Sequence, residues 1–244
     1  MELIRLQKFF TDCDILSRRA AEEEIKNGKV FVNGARAELG QKIDPENDVV
    51  EYKGKVMERP QKNVYKYVML NKPRGYLSTV TDDRGRACVT ELVKDVNARL
   101  YPVGRLDMDS EGLLLMTNDG ALTYKLTHPK HDIPKIYHVK IEGKVSAEKL
   151  RALALPMEID GYKILPVKTE IVTAKNEYTV LRMTLYEGRN RQIRKMCEAQ
   201  GLNILRLCRV AIGELELGNL APGKWRYLTK SQVEYLRKGK GKGK

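Results

Sequence analysis

Residues 105–111, RLDMDSE, put one arginine and three carboxylates within seven positions: Arg105, Asp107, Asp109 and Glu111. Gly104 precedes them, and the apolar run Leu113–Met116 follows, closed by Asn118-Asp119-Gly120. A short apolar run ended by turn residues predicts a buried strand fed by a charged loop. A carboxylate beside an arginine stays ionised at neutral pH. Held on a loop by a rigid strand, an ionised Asp is suited to act as nucleophile or base. A turn with solvated charges would read the same way from spacing alone. Three other stretches concentrate cations: Asn71-Lys72-Pro73-Arg74-Gly75, DDRGR at 82–86, and EGRNRQIRKM at 187–196. In the last, Ile193, Met196 and Cys197 share one side of a helix, so Arg191, Arg194 and Lys195 cannot all face solvent. Burying an unpaired arginine is costly, and one of them should meet a carboxylate. The three histidines, His128, His131 and His138, do not form a metal-ligand set, because Pro129 and Pro134 interrupt any helix that would align them.

The elements that must position these groups can be read in order. Residues 1–60 form a small module: apolar positions at helical spacing (Ile4, Leu6, Phe9, Phe10, Ile15), then a helix capped by Ser17 and running to Ile25. A strand over Lys29–Val32 and an Asn33-Gly34 hairpin follow, with a further strand at Val49–Tyr52. The stretch 53–65 is polar, carries Pro60 and contains the linker, placed at 61–65. Beyond it come a buried strand at Tyr67–Leu70, with the two cations of NKPRG on the turn after it, a helix over Ala121–Thr127, and an alternating strand over Lys135–Ile141. A helix over 146–156 begins at Ser146. Strands follow at Ile164–Val172 and Tyr178–Leu185, then a helix with Asn190 as its cap. Closing strands run over Leu205–Arg209 and Val210–Leu217. A last strand follows the Pro222–Arg226 turn, and a short helix covers Ser231–Leu236. The end of the chain, residues 237–244, is a basic, low-complexity tail expected to be disordered.

The chain of 244 residues is 42% hydrophobic, enough for a sizeable core. It has no apolar run near the ~20 residues a membrane helix needs. Its first residues carry no secretory signal, so a cytoplasmic location is expected, with Cys13, Cys88, Cys197 and Cys208 as free thiols. The formal net charge is +13, which favours a polyanionic partner, nucleic acid before membrane. Residues 1–62 hold twelve Lys/Arg and twelve Asp/Glu, so the whole excess lies in the remainder. Binding by the first module would rest on a local patch of Lys8, Arg18, Arg19, Lys26 and Lys29.

The pattern GRLD-x-D-S-x-GLLL-x-T-x-DG resembles the active-site segment of the pseudouridine synthases, in the ribosomal-RNA branch that carries an S4 domain, the RsuA/RluB type. The first module, with SRR-x-A-x-x-x-I-x-x-G-x-V-x-V-N-G, resembles the S4 RNA-binding domain. NKP-x-G resembles the first motif of the synthases, the Lys135-x-Tyr137 step the second and the 187–201 segment the third, in family order. The resemblance implies an α+β fold: an S4 domain at 1–60, then a catalytic domain at 66–236 with a mixed, largely antiparallel sheet and flanking helices. It implies isomerisation of a uridine in ribosomal RNA without a cofactor, by a monomer. It puts the catalytic residue at Asp107, the base-stacking ring at Tyr137 and the Asp-pairing guanidinium at Arg194. Arg105, Lys72, Arg189, Arg191 and Lys195 are expected on the RNA. The large-subunit RNA is the nearer match and the small-subunit RNA the second. Two further readings are a non-catalytic S4-type binder and a glycosylase that releases the base.

Overall fold

The computed structural model describes residues 3–58, 64–128 and 133–239. Pro60, linker residues 61–63, Pro129, His131 and the tail from residue 240 lie outside the described residues. Contacts divide the chain into two units, Met1–Val64 and Tyr65–Lys244.

In the first unit, β1 (Ile4–Arg5) leads into α1 (Leu6–Asp12), and α2 spans Arg18–Lys26. The Ala20 N–H donates to Ser17 Oγ at 3.1 Å, the expected cap. Strands β2 (Val30–Val32), β3 (Ala35–Arg36), β4 (Lys42–Ile43), β5 (Val50–Tyr52) and β6 (Lys55–Val56) follow. Asn33 and Gly34 both have positive φ, as the hairpin between β2 and β3 requires. Lys53-Gly54 repeats this turn between β5 and β6, so the polar stretch after Tyr52 begins as a hairpin and not as linker. Leu6, Phe9 and Phe10 of α1 meet Ile25 and the strands in a separate core, where Phe10 and Tyr52 pack edge to face at 5.3 Å.

The second unit opens with β7 (Tyr67–Lys72), two residues longer than the apolar run predicts. A kinked 3₁₀ segment covers Val89–Val96, followed by β8 (Tyr101–Val103), β9 (Glu111–Thr117) and α3 (Gly120–Thr127). Asp119 caps α3 by accepting from the Leu122 N–H, so Asn-Asp-Gly starts a helix. Next come β10 (Lys135–Glu142), α4 (Ala147–Ala154), the hairpin β11 (Glu158–Ile159) and β12 (Tyr162–Lys163), β13 (Lys168–Ala174) and β14 (Tyr178–Leu185). The chain closes with α5 (Gln192–Ala199), β15 (Ile204–Ile212), β16 (Leu215–Glu216), β17 (Trp225–Tyr227) and α6 (Lys230–Lys238). Three expectations are corrected. Residues 158–163 form a hairpin, and the next strand begins at Lys168, beyond Ile164. Leu205–Val210 lies within one nine-residue strand. The tail expected from residue 237 is still helical at Arg237, which bonds Asp119 and Tyr67.

The sheet runs β13-β14-β10-β15-β9-β7-β17, with β16 beside β15 and β8 beside β9. All its pairs are antiparallel except β15 with β9. That parallel contact is brief, from Cys208↔Glu111 to Arg209↔Gly112. It needs glycine, because a Cβ at Gly112 would lie 2.3 Å from the Arg209 carbonyl oxygen and its φ is +106°. One face of the sheet packs on α4 and α5 through Val139, Leu181 and Met196. Another cluster joins β7 and β9 to the 3₁₀ segment, and Tyr137 packs against both.

Candidate active site

The loop from Gly104 to Ser110 turns on Gly104 (φ +74°) and delivers the chain into β9. Its carbonyls are held from outside, one after another. Ser78 Oγ donates to the Leu106 carbonyl at 2.8 Å, and the Leu106 N–H returns a bond to the same oxygen. Lys72 Nζ donates to the carbonyls of Asp107 (3.0 Å) and Ser110 (2.7 Å). The Gly75 N–H takes the Met108 carbonyl, and Arg194 Nη2 takes the Asp109 carbonyl and Ser110 Oγ. A loop whose polar backbone is satisfied in this way holds its side chains in place.

Lys72 requires a correction. A place on RNA was expected for it, but it is 0% exposed at the end of β7, with its ammonium given to carbonyls of its own chain. Burial pushes its pKa down to about 8, against the pull of Asp107, Asp109 and Glu111.

Two arginines from the α5 segment face the loop. Arg191, in a left-handed conformation (φ +50°), stands at the helix start in place of Asn190. Its guanidinium forks onto Asp109 at 3.2–3.3 Å and lies 3.8 Å from Asp107 Oδ2. The Arg194 side chain is 16% exposed. Its Nε lies 3.3 Å from Asp109 and 3.9 Å from Asp107, without a hydrogen bond to either. An arginine of this helix therefore does meet carboxylates, and Asp109 is the nearer partner. Burial opposes ionisation of Asp109, but the Arg191 bonds and both guanidinium charges outweigh it and hold its carboxyl below the usual range. Burial lowers the pKa of Arg194, with Asp109 opposing.

A pocket of about 90 Å³ opens above Asp107, walled by Tyr137, Leu207, Arg105, Gln192 and Ile193. A groove of about 720 Å³ shares Arg105, Leu106, Asp107, Arg189 and Arg191 with it and extends along Ser78, Thr79, Thr81 and Arg86. Asp107, Tyr137, Arg105, Arg189 and Arg191 thus share walls, while Arg194 lines neither cavity and meets the loop through Asp109 and Ser110. Lys195 is bonded to Asp160. In the first unit Lys8 pairs with Asp12 and Lys29 with Glu24, while Arg18, Arg19 and Lys26 are exposed on α2. In the 82–86 loop, Asp82 is bound by Arg86 at 2.7 Å, which holds its carboxyl far below the usual range. The sequence reading missed the Ser78 clasp and the Asp109 fork; a serine in STVTDD carries no spacing signal that its partner lies 28 residues on.

The sequence profile of the RNA pseudouridylate synthase family matches residues 66–199, and that of the S4 domain matches residues 15–50. The chain is 42% identical over 236 residues to ribosomal large subunit pseudouridine synthase B of Bacillus subtilis (strain 168), covering 96% of this chain and 95% of that protein. It is 40% identical over 240 residues to an uncharacterized RNA pseudouridine synthase of Aquifex aeolicus (strain VF5), covering 98% and 95%. A solved pseudouridylate synthase superposes with a TM-score of 0.68 at 30% identity, covering 96% of this chain and 99% of that one. With its loop, pocket and sheet in this arrangement, the chain belongs to the RNA pseudouridylate synthase family and carries an S4 domain at its N terminus.

Proposed function

We propose that the chain isomerises a uridine of large-subunit ribosomal RNA to pseudouridine in the cytoplasm, with Asp107 as the catalytic carboxylate. The observation that carries this reading is the pocket shared by Tyr137 of β10 and Asp107, which stands on a loop whose carbonyls are bound one by one. The relative in B. subtilis, named for the large ribosomal subunit, supports that substrate over the small-subunit RNA.

The reaction breaks the bond from ribose C1′ to N1, turns the base and joins C1′ to C5. The C5 proton is lost and N1 gains one, so atoms balance with no redox partner. A uridine within a stem must first be flipped out, at a cost of a few kcal/mol. The Tyr137 ring supplies a flat face for the flipped base. Asp107 then either attacks C1′ or removes a sugar proton; both routes use an anionic carboxylate. Arg194 and Arg191, at 3.9 and 3.8 Å, face that carboxylate with positive charge. Arg105 and Arg189 line both pocket and groove, and their position there supports a role for them on the phosphates.

Mass spectrometry of treated ribosomal RNA separates the readings. Isomerisation leaves mass unchanged while a pseudouridine-specific adduct appears, glycosylase action removes a base, and a pure binder changes nothing. Pseudouridine mapping in cells lacking this protein then locates the nucleotide; an unaltered map would sink the proposal.

A further inference from the structure

The segment bearing Arg189 and Arg191 is moored to the β11–β12 hairpin as well as to the sheet. Glu187 accepts from the Leu165 N–H at 2.9 Å and from Gln192 Nε2 at 3.2 Å, and lies 3.3 Å from Arg189 Nε. Asp160, at the hairpin turn, is bonded to Lys195 of α5. These ties fix the place of Tyr162. The residue is 57% exposed, and the Arg189 guanidinium carbon stands 4.4 Å from its ring centroid. Arg189 in turn walls both the pocket of Asp107 and the adjoining groove. A single side chain therefore connects an exposed aromatic ring to the wall of the site.

We propose that Tyr162, backed by Arg189, is a stacking platform for the base adjacent to the target uridine. This rests on the synthase reading above. Flipping a nucleotide leaves its neighbours unstacked. An aromatic ring or a guanidinium plane beside the pocket restores a stacking partner, and does so for any base, since each has a π-face. The cation on Tyr162 limits the ring's motion. More than half of the tyrosine stays in water, where a ring needed only to hold the hairpin would gain more from burial. The occupant is an unpaired base of the RNA, and Arg189 supplies positive charge toward the strand that carries it.

The test uses the full-length chain and a synthetic RNA stem–loop containing the mapped uridine. The RNA is made intact and with an abasic ribose at each flanking position in turn. Loss of one flanking base is expected to lower wild-type kcat/KM about tenfold. Y162A is expected to lower kcat/KM on intact RNA by a similar factor and to lose nothing further on that abasic RNA. Y162F, which keeps the ring, retains the wild-type sensitivity. Indifference of the wild type to both abasic positions, or losses from Y162A and the abasic site that multiply, would overturn the platform. A wild type without turnover on the intact RNA would refute the synthase reading, and the platform would fall with it; turnover in that control keeps the two failures apart.

Discussion

Asp107 stands on a loop with donors on its carbonyls from Leu106 to Ser110, so replacing its carboxylate leaves the backbone undisturbed. Asp107→Asn is therefore expected to reduce isomerisation by roughly 10³-fold or more, the upper part of the range for a lost catalytic proton-transfer group, with RNA affinity nearly intact. Single-turnover assays beside filter binding would read both, and a variant that turns over at close to the wild-type rate removes Asp107 from the mechanism. Lys72 does the opposite work: it supplies donors and no chemistry. Lys72→Met strips the Asp107 and Ser110 carbonyls of that partner. Each buried acceptor left so costs on the order of 1–3 kcal/mol, so both stability and turnover should fall. Its titration adds a pH signature. The folded pKa of about 8 lies below the ordinary 10.5. Between those values the unfolded chain holds the Lys72 proton more often than the folded chain, so stability from this group rises with pH and is lost as pH falls through about 8. Denaturant midpoints at pH 7 and 9.5 should show the wild type gaining on Lys72→Met by up to roughly 2 kcal/mol, since only the part of the window from about 8 to 9.5 is crossed. A constant gap would mean the ammonium is not desolvated as described.

Among the elements, β9 governs the site because it receives the loop and pairs with three strands. β7 takes one edge of it, while β15 and β8 divide the other. The parallel joint with β15 is two residues long and depends on the bare backbone of Gly112. Gly112→Ala would press a methyl into the Arg209 backbone at a φ that side chains rarely adopt. The expected loss is roughly 3 kcal/mol, and thermal unfolding would measure it. Unchanged stability would show that the joint can open without cost. The apolar run Leu113–Met116, the alternation of β10 and the one-sided apolar face of α5 are each visible in the sequence, because each is a local periodicity. The 3₁₀ segment and the β11–β12 hairpin are not: the first is broken by a kink at Val93, and strands two residues long carry no period to detect.

For the whole molecule, charge and chemistry are divided between units. The +13 excess lies outside the first 62 residues. In the S4 unit, Lys8 and Lys29 are already paired with Asp12 and Glu24. That leaves Arg18, Arg19 and Lys26 on one exposed helix to meet phosphate. Deleting residues 1–60 is expected to weaken RNA binding by roughly tenfold and flatten its salt dependence, with kcat kept. Equal affinity and an equal salt slope in the truncated enzyme would contradict this. The sequence alone carried the longer helices and strands, the capped helix at Ser17, the Asn33-Gly34 hairpin and the pairing of a charged loop with a buried strand, because propensity, capping and alternation act between neighbours a few residues apart. Only the tertiary structure decided that Lys72 turns inward, that Ser78 clasps Leu106, and that Arg191 forks onto Asp109 from 82 residues away. Those partners are chosen by which strands and loops pack side by side, and a buried carbonyl takes whatever donor the packing brings within reach.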